Sequence, residues 1–201
     1  MKKIVLLPML LFSIVVFSQK DRTTKLGKTT VEELKMNSYD KDSTANALVL
    51  YEHANYYIDK KRRYNYTTDY YFRVKILSKD GFDQSKISIQ VFDQEKIHSI
   101  KAKTYNLLDN ATVVQKVLSK DKIYTKDISE KWRETSFTLP DIKVGSVIEY
   151  VYSVTSPYSQ IDDWFFQSDI PKMKSDFTAS ILGNWKYNIK IRGALKLSRN
   201  D

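Results

Sequence analysis

The sequence predicts a mainly β protein, either an antiparallel β-sandwich or a strongly curved sheet, with one short N-terminal helix. Many short segments alternate apolar and polar residues with a period of two, which is typical of strands that bury one face. Pro, Gly, Asn and Asp separate these segments, and only one segment favours a helix. The 14 tyrosines and 9 phenylalanines also suit half-buried pleated surfaces.

The start of the chain has the features of a cleavable secretory signal peptide, residues 1–18. Two lysines precede an apolar stretch, and Val16 and Ser18 occupy the third-last and last positions that a signal peptidase recognises. Cleavage would leave Gln19 as the N-terminus. A membrane-spanning helix needs about 20 apolar residues, and this stretch is shorter. We therefore expect a protein exported to the periplasm, the cell surface or the medium, without an integral membrane anchor.

The composition limits what the exported protein can be. Removing an 18-residue signal from 201 residues leaves 183, which is enough for one domain with a hydrophobic core. The sequence contains no cysteine, so neither a disulfide nor a lipid-modified cysteine can form. The net charge of +9 falls to +7 without Lys2 and Lys3, and basic residues alternate with apolar ones as on a solvated sheet face. We expect no nucleic-acid partner, and an anionic cell-surface polymer is the favoured electrostatic partner.

Residues 19–44 are predicted to be a linker that contains one short helix. The residues after Gln19 are polar and have no apolar period. Thr29 or Thr30 can cap a helix over residues 31–36, and Glu33 three positions after Thr30 would complete a capping box. This is the segment that favours a helix.

A β-sandwich domain is predicted over residues 45–201. Residues 66–76 alternate aromatic or aliphatic side chains with polar ones, as a strand with two different faces does. A turn signal at residues 79–81 leads into a second alternating segment at residues 87–91. The two segments together predict an antiparallel hairpin.

The rest of the domain repeats this design. Residues 97–107 and 111–118 predict a second hairpin, and residues 146–155 carry apolar side chains on both faces, which is typical of a central strand. Other strands are predicted at residues 135–139, 164–170, 177–182 and 187–191. The strand pattern stops at residues 195–198 without a closing turn, as in a fragment or the first module of a longer protein.

The residue types that catalysis needs are scarce. The chain has no thiol nucleophile and only two histidines, His53 and His98. His53 follows a polar pair near a predicted turn, where a solvated histidine is favoured over a catalytic one. His98 shares a strand face with Ile100 and Ala102, so a structural, hydrogen-bonded side chain is favoured there. We expect no catalytic residue and no cofactor.

The segment around residue 164 carries the remaining features that could bind a ligand. Asp162, Asp163 and Asp169 could supply oxygen ligands to calcium, but they lack the spacing of an EF-hand, and solvated turn acids are favoured. Trp164 and Phe166 share a strand face and could stack on sugar rings or on a peptide if exposed. Burial in the sandwich core is the favoured alternative for this pair.

Five stretches, at residues 42–51, 75–81, 100–106, 139–150 and 164–171, resemble domain of unknown function 3857. This is the β-rich module that usually precedes a transglutaminase-like domain in exported bacterial proteins, and the resemblance covers about residues 40–195. Its most specific element is a Pro-x-x-x-x-Gly-Ser-x-Ile-Glu-Tyr run. The motif residues are Pro140, Gly145, Ser146, Ile148, Glu149, Tyr150, Trp164, Gln167 and Pro171.

The resemblance implies a β-sandwich that leads into a papain-like core with a Cys-His-Asp triad. Because the chain has no cysteine, none of that triad can be assigned to a position here. Glu149 and Tyr150 are the polar members of the motif, and on a central strand they are expected to stabilise the sheet and its neighbouring turn.

Three functional hypotheses follow. The first is a non-catalytic accessory module that packs against, or presents substrate to, a transglutaminase-like domain beyond Asp201 or on another chain. The second is a free-standing surface protein that binds glycan or peptide through exposed tyrosines and a basic face. The third, an independent hydrolase built on Ser, His98 and Asp, has the weakest support.

Overall fold

The computed structural model of the chain describes residues 25–59, 65–183, 185–193 and 196–200. Its strands form a six-stranded and a three-stranded sheet that share one apolar core. This architecture confirms the prediction of a mainly β fold, consistent with a β-sandwich, with one short α-helix. The predicted signal peptide and its cleavage site between Ser18 and Gln19 lie outside the described residues.

In chain order the elements are α1 (Val31–Lys35), β1 (Ala47–Asp59), β2 (Asn65–Ile76), β3 (Lys86–Phe92), β4 (Lys96–Leu107), β5 (Val113–Val117), β6 (Tyr124–Asp127), β7 (Trp132–Thr138), β8 (Val147–Ser156) and β9 (Ser175–Ala179). Two short 3-10 helices, Lys79–Ser85 and Lys120–Lys122, lie in the connections. No helix within the described ranges is both long and apolar enough to cross a membrane.

The large sheet has the strand order β5-β4-β8-β2-β1-β9. Its strands pair antiparallel except for β9, which runs parallel to β1. Strand β8 is central, as the sequence predicts, and Val151 on it pairs with Tyr71 of β2 and Lys101 of β4. The predicted hairpin formed by β4 and β5 is confirmed.

The small sheet, in the order β3-β7-β6, packs against one face of the large sheet, which we call the inner face. Ile89 of β3 and Phe137 of β7 are buried in one cluster with Val74 of β2 and Ile148 of β8. Alternate residues of the large sheet therefore lie in this core, while the intervening ones lie on the opposite, outer face.

The predicted hairpin between residues 66–76 and 87–91 is wrong. Strand β2 lies between β1 and β8, whereas β3 pairs with β7 in the other sheet. The turn signal forms the 3-10 helix Lys79–Ser85, which takes the chain from one sheet to the other. Its start is held by the carbonyl oxygen of Asn46, which accepts hydrogen bonds from the main-chain nitrogens of Leu77 and Ser78.

Two further strand predictions are wrong, and two strands lack a prediction. Residues 164–170 and 187–191 have alternating patterns but form no strand, whereas β1 and β6 form without having been predicted. Residues 164–170 contact the sheet through the side chain of Trp164. Their apolar and polar residues can therefore alternate without main-chain hydrogen bonds to a neighbouring strand.

The helix α1 packs on the outer face of the large sheet. Thr30 caps it, and the side chain of Glu33 completes the predicted capping box. Leu34 is the buried residue of the helix, and it packs in a second cluster with Leu48 and Val147. The large sheet is therefore covered on both faces, by the small sheet inside and by α1 outside.

We expect Gly81→Ala to destabilise the fold by about 2 kcal/mol or more, because a side chain there has no space. A Cβ on Gly81 would overlap the carbonyl oxygen of Asn46 and lie 3.3 Å from the Cβ of Ala47. Urea unfolding would measure the loss. Gly183→Ala is the control, because a Cβ there meets nothing within 4 Å and the change should stay below about 0.5 kcal/mol. Equal free energies of unfolding for the two variants would contradict this account of the sheet crossing.

Candidate functional site

A buried carboxylate lies at the centre of the outer face. Glu149 of β8 is 0% exposed, and its oxygens accept hydrogen bonds from the hydroxyl groups of Tyr71, at 3.1 Å, and Tyr105, at 3.2 Å. Burial raises the pKa of both tyrosines, and the charge of Glu149 raises it further. Both hydroxyls therefore remain protonated and can serve as donors.

The same carboxylate binds the segment that precedes α1. The main-chain nitrogens of Gly27 and Lys28 donate to Glu149 at 2.5 and 2.9 Å, and the Thr29 hydroxyl donates at 3.1 Å. A nitrogen of the Arg73 guanidinium lies 4.0 Å away. We call Glu149 and these partners the carboxylate clamp. It attaches part of the predicted linker, residues 19–44, to the middle of the sheet.

Two cations of β2 attach the helix beside the clamp. The Arg73 guanidinium pairs with Glu33 at 3.0 Å. Lys75 is fully buried, and its ammonium group donates to the carbonyl oxygens of Leu34, at 2.7 Å, and Gly145, at 2.5 Å. Burial lowers the pKa of Lys75 to about 8. These bonds join α1, β2 and the turn before β8.

That turn contains the motif residues Gly145 and Ser146. Gly145 adopts a positive φ of 90°, a conformation that favours glycine, and its nitrogen donates to the carbonyl of Ile76 at 2.9 Å. The buried Ser146 hydroxyl donates to the Asn106 side chain at 2.5 Å and accepts from the Lys143 nitrogen at 2.9 Å. The Gly-Ser pair therefore sets the turn and links it to β4.

The other motif residues lie on the inner face or in the loops around it. Ile148 is buried in the core, and the Tyr150 ring stacks on Phe72 with centroids 4.7 Å apart. The Pro171 carbonyl accepts from the nitrogen of Val49 at 2.9 Å. Pro140 is half-buried just after β7, and Gln167 is exposed. The motif residues do not form one cluster.

A second group of side chains forms a cleft on the inner face near the β9 edge, with a volume of about 250 Å³. We call it the aromatic cleft. Its aromatic side chains are Tyr70, Phe72, Tyr152, Trp164, Phe165 and Phe177, and its charged ones are Glu52, Asp162, Asp163 and Lys172. The rings are in contact with each other, since Trp164 lies 6.4 Å from Tyr70 and 6.0 Å from Phe177 between centroids.

A chain of hydrogen bonds holds one wall of the aromatic cleft. The Trp164 indole nitrogen donates to the Ser175 hydroxyl at 3.0 Å, and that hydroxyl donates to the Glu52 carboxylate at 2.6 Å. The Lys172 ammonium group binds the same Glu52 oxygen at 2.7 Å and the Phe165 carbonyl at 2.7 Å. The loop that carries Trp164 is therefore fixed to β1 and β9.

The opposite wall is acidic. Asp162 and Asp163 are exposed at the cleft, and partial burial together with the nearby charges of Glu95 and Asp163 raises the pKa of Asp162. Burial also raises the pKa of Tyr70 to about 12, and Asp162 adds to that shift. Among the described residues, no lysine or arginine forms an ion pair with Asp162 or Asp163.

The structure separates the predicted aromatic pair. Burial of the pair in the core is wrong, because Trp164 is half-buried against the sheet outside the core cluster, Phe166 is exposed, and Phe165 is 71% exposed at the cleft. Sequence reasoning did not single out Glu52, Lys172 or Tyr70 for this site. Glu52 and Lys172 lie 120 positions apart, so no local pattern could have paired them.

The two histidines have structural surroundings, and Asp162, Asp163 and Asp169 are exposed outside helices and strands, as expected for solvated acids. His53 is buried within β1, so its placement near a turn is wrong. His98 lies in β4, and its Nε2 shares a hydrogen bond of 2.9 Å with the Thr155 hydroxyl. Within the described ranges, no group of three or more His, Cys, Asp and Glu side chains could hold a metal ion.

Comparison with known families agrees with the motif. The sequence model of DUF3857, described as a domain of unknown function with a solved structure, matches residues 62–199. The chain belongs to this family. The match covers both the Gly-Ser turn before β8 and the loop that carries Trp164, and it confirms the resemblance that the sequence motifs predict.

Other comparisons give little more for this DUF3857 chain. No curated protein matches the sequence. One similar solved structure is a crystal structure of a candidate protease from Parabacteroides distasonis, which is 11% identical with a TM-score of 0.42. The similarity covers 55% of this chain and 23% of that protein, so the chain spans less than a quarter of the length of this relative.

Proposed function

We propose that this DUF3857 chain is a non-catalytic interaction module that works outside the cytoplasm and packs against a transglutaminase-like domain. That domain would lie in the same polypeptide or on another chain. The observation that carries the proposal is an apolar surface formed by the segment after β9.

Large apolar side chains of this segment lie in solvent. Ile189 is 78% exposed and Ile191 is 53% exposed. We call the segment the C-terminal apolar surface, and its members are Ile181, Leu182, Trp185, Ile189 and Ile191. An exposed group of this kind usually marks an interaction site, because single soluble domains bury most of their largest apolar side chains.

The pattern of the segment gives a second argument. Residues 187–191 alternate apolar and polar side chains as a strand does, yet they form no strand in the described structure. The segment is attached to the domain near its start, where the Trp185 ring lies 6.1 Å from Tyr66 and the Tyr187 hydroxyl donates to the Ser159 carbonyl at 3.0 Å. A partner could bury Ile189 and Ile191, or it could form main-chain hydrogen bonds with residues 187–191 so that they become a strand.

Family membership suggests the class of partner. Modules that resemble this one usually precede transglutaminase-like domains, and the 201 residues contain no cysteine for such chemistry. Any thiol nucleophile would therefore come from the partner. The predicted signal peptide supports an extracytoplasmic site of action, because it lies at the start of the same chain.

One experiment tests location and partner together. A C-terminally tagged protein is produced in its native cell, the cells are fractionated, and the purified material is analysed by mass spectrometry. We expect a protein outside the cytoplasm that begins at Gln19 and is joined or bound to a polypeptide with a transglutaminase-like domain. A protein that keeps residues 1–18 in the cytoplasm, or has no transglutaminase-like domain in its reading frame, neighbouring genes or purified complex, would contradict the proposal.

The contact surface is tested with that domain as the ligand in calorimetry. We expect the double variant Ile189→Ser, Ile191→Ser to weaken binding at least tenfold, because both side chains would be buried at the interface. Val113→Ser, Val117→Ser is the matched control, since these residues are 41% and 56% exposed on β5, at the far edge of the sheet. Equal binding by both variants would exclude the C-terminal apolar surface.

A second candidate function, a free-standing surface protein that binds glycan or peptide, is favoured by the aromatic cleft. An open pocket of about 250 Å³ with half-buried rings and charged groups is a form of site that binds small ligands. The two functions use different surfaces, so one does not exclude the other.

A further inference from the structure

We propose that the aromatic cleft binds the cationic side chain of a lysine or arginine in a peptide, against the Trp164 ring and the Asp162 carboxylate. The proposal deepens the second candidate function by naming the ligand class. It does not depend on packing against a transglutaminase-like domain.

The size of the cleft favours a single side chain. Its volume of about 250 Å³ is below the roughly 300–1,000 Å³ of pockets that enclose drug-sized ligands. The rings of Tyr70, Phe72, Trp164 and Phe177 supply a surface for an alkyl chain and an aromatic face for a cation. The hydrogen bonds of Trp164 to Ser175 and of Ser175 to Glu52 hold this surface in place, so little ordering would accompany binding.

The charge balance favours a cation. Glu52, Asp162 and Asp163 line the cleft, and its one lining cation, Lys172, is already paired with Glu52 at 2.7 Å. Asp162 and Asp163 therefore give the cleft a negative charge within a chain whose net charge is +9. An ammonium or guanidinium group beside Asp162 would offset the repulsion from Asp163 and Glu95 that the free protein retains.

A neutral sugar would lack this benefit. It could stack on Trp164 and accept or donate hydrogen bonds, but it would leave the charges of Asp162 and Asp163 without a counterion. The carboxylates of Asp162 and Asp163 therefore favour cationic ligands over both neutral sugars and apolar side chains.

The position of the cleft favours a peptide over a free amine. Phe177 lies on β9, and among the described strands β9 pairs only with β1. The described sheet therefore ends at β9, next to the cleft. A peptide that adds to this edge could direct a side chain over the sheet into the cleft, which is the way that edge-binding domains combine affinity with specificity.

The test is a titration of the purified full chain with N-acetyl-lysine amide and N-acetyl-arginine amide, followed by calorimetry and by the NMR signal of the Trp164 indole N–H. N-acetyl-norleucine amide has the alkyl chain without the charge, and methyl glucoside represents a sugar. We expect a lysine or arginine probe to shift the Trp164 signal and to bind at least tenfold more tightly than the norleucine and glucoside probes.

The variant Asp162→Asn keeps the shape of the side chain and removes its charge. We expect it to weaken binding of the cationic probe at least tenfold, which is about 1.4 kcal/mol. Asp127→Asn is the control, because Asp127 is an exposed strand acid of β6 that pairs with Arg133 in the small sheet. Thermal melting checks that both variants are folded.

Four results would each overturn the proposal. The norleucine probe could bind as tightly as the cationic probes, or the glucoside could bind more tightly. Asp162→Asn could leave the affinity unchanged, or neither cationic probe could bind at millimolar concentration. The variant Ile189→Ser, Ile191→Ser should bind the cationic probe normally. The proposal for the aromatic cleft and the proposal for the C-terminal apolar surface can therefore be refuted independently of each other.

Discussion

Glu149→Ala is expected to lower the free energy of unfolding by about 3–5 kcal/mol, because it removes the acceptor of two buried hydroxyls and of two main-chain nitrogens. The hydroxyls of Tyr71 and Tyr105 would lose their partner in the interior, and the main-chain nitrogens of the exposed residues Gly27 and Lys28 would lose theirs at the surface. An unsatisfied buried donor costs about 1–3 kcal/mol, so a loss of this size is large beside a typical total stability of about 5–15 kcal/mol.

Two measurements check this expectation. Urea unfolding gives the free energy, and limited trypsin digestion reports whether the segment at Lys25 and Lys28 has detached from the sheet and is cleaved faster. Glu134→Ala is the matched control, since Glu134 is a strand glutamate whose partners, Lys126 and Ser88, lie near the surface. We expect the control to lose about 1 kcal/mol or less. A loss below 1 kcal/mol in Glu149→Ala would show that the clamp contributes little to stability.

The protein is also expected to unfold steeply between about pH 10 and 12. Burial raises the pKa of Tyr70 to about 12, and it raises the pKa values of other tyrosines in the sheet above their ordinary value of 10. These other tyrosines are Tyr71, Tyr105, Tyr150 and Tyr152. In the unfolded chain the same groups release their protons near pH 10.

The direction of the change in stability with pH follows from the number of protons that each state binds. Above pH 10 the native state holds tyrosine protons that the unfolded state has released, so stability is fully present below pH 10 and falls as the pH rises. Each such tyrosine contributes a slope of up to about 1.4 kcal/mol per pH unit. Lys75 acts in the opposite direction between about pH 8 and 10.5, where the unfolded state binds the proton that the native amine has released. We therefore expect stability to be greatest near pH 10 and to fall sharply above it.

Urea unfolding at fixed pH values from 8 to 12, together with tyrosinate absorbance, measures this profile. These five tyrosines should ionise in one cooperative step that coincides with unfolding. Tyr150→Phe removes one buried hydroxyl and should reduce the alkaline slope, whereas Tyr124→Phe, at a 61% exposed position, should leave it unchanged. Gradual ionisation of a protein that stays folded at pH 12 would contradict the prediction.

Local patterns predicted most of the elements. Thr30 and Glu33 specify the start of α1 because a capping box involves residues only three apart. Strand β8 was recognised as central because its apolar residues occur on both faces, which requires cover on both sides. The motif around Gly145 and Ser146 identified the family, since a turn with positive φ depends on the residue that adopts it.

Local sequence patterns give wrong strand predictions where the chain passes from one sheet to the other, and where a segment packs against a sheet without joining it. The segment at residues 79–85 has turn residues, but whether β3 returns to β2 or moves to β7 depends on which apolar face it can cover. Residues 164–170 alternate as a strand would, yet Trp164 packs on the rings of β2 and the main chain forms no ladder. Period-two alternation indicates which side chains of a segment are buried, but it does not indicate which strand, if any, forms main-chain hydrogen bonds with that segment.

The sequence by itself determined the β-rich class, the capped helix, the central strand, the family and the absence of any thiol chemistry in these 201 residues. Only the tertiary structure decided that Glu149 binds residues 27–29, and that Glu52 and Lys172 meet beneath Trp164. These partners are about 120 positions apart, and strand order brings them together. Backbone geometry acts over a few residues, whereas contacts between strands depend on how the whole sheet closes its core.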